Sequence, residues 1–162
     1  MANITYPYRH CGVYISTKYK HIMFVPLGRI KNGMSAEHEN VISDVWPCDF
    51  GKLRENIEEA LDRALVAHSN FDPFKYRPGH YPSYDNSKAK SETSFRSEYV
   101  LLRVETDNAR EYGQGEAERV KVIAHPTSLD TTYRLTGTYH LLDTKVAQLV
   151  LDIFEACMKI RE

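Results

Sequence analysis

Cys48, in the stretch VWPCDFGK (45–52), is the side chain that the sequence best prepares for covalent chemistry. It lies just before a predicted helix N-terminus, where the helix dipole and free N–H groups lower a thiol's pKa. His125 or His140 would serve as its base. The plainer reading makes Cys48 a small buried apolar residue, as most free cysteines are. Cys157 falls on an apolar helical stripe and belongs to the core.

Other chemistries have weaker footing. His10, Cys11, His21, His38, His68, His80, His125 and His140 show no CxxC, HExxH or HxH spacing, so neither a metal nor a cofactor is expected. HEN at 38–40 begins HExxH without its second histidine. Glu58–Glu59 and Glu116–Glu118 are paired carboxylates, but they fall on a wet helix face and in a loop, where pKa values stay ordinary. General acid work needs a carboxyl pushed up by burial. DFG at 49–51 has no HRD partner, and GQG at 113–115 reads as a turn.

Binding chemistry has more to work with. Residues 1–33 carry Arg9, Lys18, Lys20, Arg29 and Lys31 and no acid, a local balance of +5. Residues 34–66 carry Glu37, Glu39, Asp44, Asp49, Glu55, Glu58, Glu59 and Asp62 against Lys52, Arg54 and Arg63, a balance of −5. Either the two segments pair with each other at the surface, or the acids form a face that meets a basic partner. The segment FDPFKYRPGHYPSYDNSKAK (71–90) adds rings: Phe71 and Phe74 read as anchors against a sheet. Tyr76, Arg77, His80, Tyr81 and Tyr84 read as an outward surface, since Tyr and Arg carry protein interfaces. Cations interleaved with rings also suit single-stranded nucleic acid. Residues 67–98 net only +1, however, which gives a phosphate backbone little to hold.

These residues need a scaffold. Segment 12–30 reads as two strands with a turn near Lys18–Lys20, and 41–46 as a short third strand. Asp49 caps a helix placed at 50–67, with Leu53, Ile57, Ala60, Leu61, Ala64 and Leu65 on one stripe. Strands follow at 98–106, 118–126 and 132–142. A last helix carries Val146, Leu149, Val150, Ile153, Phe154 and Cys157 inward. Two strand–strand–strand–helix halves, 10–67 and 98–162, are joined by a loop at 68–97 and suggest an internal duplication. Neither helical stripe is buried alone, so the predicted fold is α+β: a mostly antiparallel sheet packed by two helices. The 162 residues fit one domain, 1–162.

A net charge of −1 exerts no global pull toward nucleic acid or membrane. Three cysteines without metal spacing point to reduced thiols and a cytoplasmic home. The N-terminus shows no apolar signal region, and no run reaches a membrane helix's roughly 20 apolar residues.

The repeated plan, the strand IMFVPLGRI, the acidic VISDVW…FGKLRENIEEAL segment and the terminal LLDTKVAQLVLDIFEAC helix resemble immunity proteins of bacterial contact-dependent growth inhibition. The resemblance is one of pattern and covers most of the chain. It implies a non-catalytic cytoplasmic protein that binds and neutralises a cognate toxin domain, commonly a nuclease, without touching nucleic acid itself. It transfers no contact residues. The expected partner-binding surface is therefore drawn from the charge and ring patterns: Glu37, Glu39, Asp44, Glu55, Glu58, Glu59 and Asp62, with Tyr76, Arg77, His80, Tyr81 and Tyr84 nearby.

Overall fold

Alternation along the strands builds the centre of the molecule. The computed structural model describes residues 9–29, 35–70, 81–108, 118–125, 133–138 and 145–161. Strands β1 (Arg9–Ser16) and β2 (His21–Arg29) form a hairpin, and β3 (Ser35–Glu37) and β4 (Ile42–Val45) follow. Strands β5 (Val100–Asn108), β6 (Glu118–His125) and β7 (Tyr133–Thr138) make the second half. One sheet results, in the order β3-β2-β1-β5-β6-β7, with β4 also on β2. Every pairing is antiparallel.

The two halves meet at the central β1–β5 pair, Arg9 facing Thr106 and Ile15 facing Val100. Each half runs outward from there as a meander and ends in a helix, so the repeated plan seen in the sequence is laid out around that pair. Helix α1 (Phe50–Asn70) packs on β1 and β2, and α4 (Lys145–Arg161) on β5, β6 and β7; they also touch each other. Under them lie Cys11, Val13, Ile15, Ile22, Phe24, Val100, Leu102, Val104, Val120, Val122 and Ala124, all buried. The period of two thus delivers every second strand residue to one core. Both predicted helical stripes face that core, from Leu53 to Ala64 and from Val146 to Cys157. Trp46 meets Phe154 edge-on at 5.1 Å, joining the end of β4 to α4.

The outer edge beside β2 is broken in two, and Pro26 supplies a reason. In the ladder Pro26 stands opposite Cys11, and its carbonyl accepts the His38 N–H at 2.8 Å on the outer side. A residue's N and C=O leave a strand on the same side. Proline has no N–H to offer there, so the outer ladder lapses at this point. β3 covers Leu27–Arg29, β4 covers His21–Phe24, and 38–41 bridges them. The three residues of β3 carry too little alternation to mark a strand in the sequence.

Helix α1 starts where its cap predicts. The Asp49 carboxylate accepts the Lys52 N–H at 2.8 Å, and the Asp49 carbonyl accepts the Leu53 N–H at 3.0 Å. Replacing Asp49 with alanine should lower stability by about 1 kcal/mol, and with serine by much less. Urea midpoints of the two variants check this, and equal midpoints would remove the cap from the account.

The segment expected as a structureless loop at 68–97 is not one. Helix α1 runs on to Asn70, and two short helices follow, α2 (Pro82–Asn86) and α3 (Glu92–Glu98). Pro82 opens α2, where its missing N–H costs nothing. The Ser91 hydroxyl caps α3 by accepting the Ser94 N–H at 3.1 Å. Neither helix is long enough to show a hydrophobic period, which is why the sequence hid them. Together they make a third layer on the sheet face that α1 and α4 leave uncovered. The described residues hold four helices where two were expected, and the α+β class holds.

Candidate protein-binding surface

The expected surface residues part company once the fold is closed. On α1, Leu53, Asn56, Ile57, Ala60, Leu61 and Ala64 point inward and are buried. The helical period then places Glu55, Glu59 and Asp62 in solvent, with Glu58 at the margin. Glu59 pairs with Arg63 one turn on, at 3.1 Å. Asp62 pairs with Arg9 at 2.8 Å, joining the acidic segment to the basic one. The Asp62 side chain is still 68% exposed, so this pair leaves its charge at the surface. Burial pushes the Glu58 carboxyl above its usual value; Arg54 opposes this, while Asp62 and Glu55 reinforce it. The acids thus make one outward ridge on α1. Glu39 is exposed on the bridge between β3 and β4.

Two other acids are used inside the fold. Asp44 accepts the Asn56 amide at 3.0 Å and its neighbour Val45 N–H at 2.8 Å, tying the β4 edge to α1. Glu37 is taken up more completely. Its carboxylate accepts the Tyr14 hydroxyl at 2.6 Å, the Ser83 N–H at 2.7 Å and the Ser83 hydroxyl at 2.7 Å. It therefore joins β3, β1 and the start of α2. Burial, and then the Glu37 charge, push the Tyr14 hydroxyl well above its ordinary value, so it stays a donor.

Tyr81 and Tyr84 do not stand out in solvent as expected. Tyr81 and Tyr84 are half-buried around Phe95, at ring-centre distances of 6.1 and 5.7 Å. Phe95 also stacks on Tyr14 at 5.4 Å and touches Tyr99 at 5.2 Å. The cause lies in β2, whose Met23 and Val25 point away from the helical core and need apolar cover. Gly12 makes room: a Cβ there would come 3.1 Å from the Tyr14 ring. Tyr76, Arg77, His80, Phe71 and Phe74 lie outside the described residues.

Cys48 is half-buried, and its thiol is pushed up by burial and by the Asp44 and Asp49 carboxylates. Asp44 on β4 and the helix cap Asp49 put carboxylates beside it, and their sign is wrong for a thiolate. His140 lies outside the described residues, and His125 closes β6. Burial raises the Cys11 thiol to about 12. Among the described residues, no three His, Cys, Asp or Glu side chains gather as metal ligands would. None of the described helices is long and apolar enough to cross a membrane.

Sequence reasoning missed a charged strip on the far side of the sheet. Glu105 lies 3.4 Å from Lys121 across the β5–β6 ladder and 3.9 Å from Arg103. The alternation of RVE (103–105) and of VKV (120–122) carries the signal, since Val104, Val120 and Val122 turn into the core.

Comparison with protein-family models, curated proteins and solved structures returns no match for this chain.

Proposed function

We propose that the protein is a non-catalytic inhibitor of the immunity type, which binds and neutralises a cognate toxin domain of a contact-dependent growth inhibition system. One observation carries the reading: the outward ridge of α1, where Glu55, Glu59 and Asp62 are exposed on a helix whose opposite side is locked into the core. An acid-rich ridge on a rigid element, with Glu59 and Asp62 still exposed beside Arg63 and Arg9, suits a basic surface, such as the nucleic-acid cleft of a nuclease toxin. The raised Cys48 thiol weighs against the competing reading of a cysteine enzyme.

The reading shifts the expected surface. Glu55, Glu58, Glu59, Asp62 and Glu39 stay in it, while Glu37 and Asp44 serve the fold, and Tyr81 and Tyr84 offer only their exposed edges. Complementary charge acts mainly on the encounter rate, so the double variant Glu55→Lys/Glu59→Lys should slow association about 10-fold to 100-fold at low salt and flatten its salt dependence. The measurement is co-expression with the product of the neighbouring gene, followed by co-purification and binding kinetics. Absence of a complex would sink the inhibitor reading. A complex with unchanged kinetics in the variant would move the interface off α1.

A further inference from the structure

His21 begins β2 on the sheet face that the third layer covers, and it is buried. Its Nδ1 lies 2.8 Å from the hydroxyl of Tyr99, the C-cap residue that follows α3. That hydroxyl accepts the backbone N–H of Lys88, in the turn between α2 and α3, at 3.1 Å. Tyr99 also meets the His21 ring edge-on at 5.9 Å and stacks with Tyr19 at 6.0 Å. One hydroxyl therefore links the sheet, the end of α3 and the α2–α3 turn.

We propose that His21, Tyr99 and Lys88 form a proton-ordered latch, which holds the α2–α3 layer on the sheet while His21 is neutral and slackens when it is protonated. A backbone N–H only donates, so Tyr99 Oη accepts from Lys88. The latch assigns the hydrogen of that hydroxyl to His21 Nδ1, 2.8 Å away. His21 then carries its proton on Nε2. A proton added at Nδ1 sets two donors against each other and places a cation in a buried site.

The surrounding charges reinforce this. Lys88 faces His21 from the turn. From the β1–β2 turn and the end of α3 come Lys18 and Glu98, which pair with each other, and Tyr19. The ladder neighbours of His21 are Ser16 on β1 and Val45 on β4, which bring no charge. Burial, and then Lys88, lower the His21 pKa from its ordinary 6.5. The sign follows by linkage. Between the lowered value and 6.5 the opened form binds a proton that the closed form refuses. The latch is therefore at full strength above that window and weakens as pH falls through it.

The test uses the full-length chain. Imidazole 15N spectra give the tautomer and titration of His21, and amide hydrogen exchange gives the opening of 82–98, corrected for intrinsic rates. At neutral pH His21 should show the Nε2–H tautomer, and it should titrate below an exposed histidine. The opening constant of 82–98 should rise by up to about tenfold per pH unit through the window. His21→Asn should remove that pH dependence. An Nδ1–H tautomer, an ordinary or raised titration, or a flat opening constant would each overturn the latch. The wild-type spectra decide the matter even if the variant does not fold, and no toxin partner is involved.

Discussion

Glu37→Ala should destabilise the protein by about 3 kcal/mol, far more than loss of a surface acid. The carboxylate is the common acceptor for Tyr14 and for both donors of Ser83. Hydrogen bonds to a charged acceptor contribute roughly 1.5–3 kcal/mol each, but these three share one group and do not add. Truncation leaves the buried Ser83 and the Tyr14 hydroxyl without that acceptor inside a tight layer. Glu37→Gln should lose about half as much, since one carbonyl oxygen survives while the new NH2 meets a donor. Urea denaturation gives the values, and a cycle with Ser83→Ala isolates the coupling. If Glu37→Ala kept wild-type stability, the carboxylate would be a surface group available to a partner, as the sequence suggested.

The second large effect is expected at Phe95. This ring is buried and packs on Tyr14, Tyr81, Tyr84 and Tyr99, so Phe95→Ala should cost about 3–5 kcal/mol. Phe50 is the control. It is 42% exposed at the start of α1, and its truncation should stay within about 1 kcal/mol. The two losses differ in kind as well as size. Phe95→Ala should raise hydrogen exchange across 82–98 before it reaches Leu102, Val104 and Val122, because the third layer has its own apolar cluster. Near-ultraviolet dichroism should lose tyrosine intensity at the same time. Equal small costs at both positions would mean that the third layer is not held by its rings.

The two predictions concern residues that the sequence assigned differently. Glu37 looked like one acid among eight in the acidic segment, and Phe95 was one ring in an irregular loop. Reading a charged residue as exposed is sound on average, since carboxylates are rarely buried unpaired. At Glu37 the average fails because three donors arrive from elsewhere. Asp44 repeats the lesson through Asn56. On α1 the same reasoning succeeds: the helical period alone sends Glu55, Glu59 and Asp62 outward while Leu53, Ile57 and Leu61 turn in.

Amphipathic periods and caps lie within a few consecutive residues, and the backbone's own geometry converts them into strands, helices and faces. The alternation of β1, β2, β5 and β6, the stripes of α1 and α4 and the Asp49 cap were accordingly settled by the chain's local order. So was the need for a sheet covered by helices, because no amphipathic element hides its apolar face alone. Which groups occupy the second face was settled only on closure. Ser83 reaches Glu37 across 46 residues, Tyr99 reaches His21 across 78, and Arg9 reaches Asp62 across 53. A contact at such separation leaves no periodic trace in the sequence. It depends on where the β1–β5 pairing and the return of 81–99 over Met23 and Val25 bring distant side chains, and there the buried donors find the acceptors that local reading had placed in water.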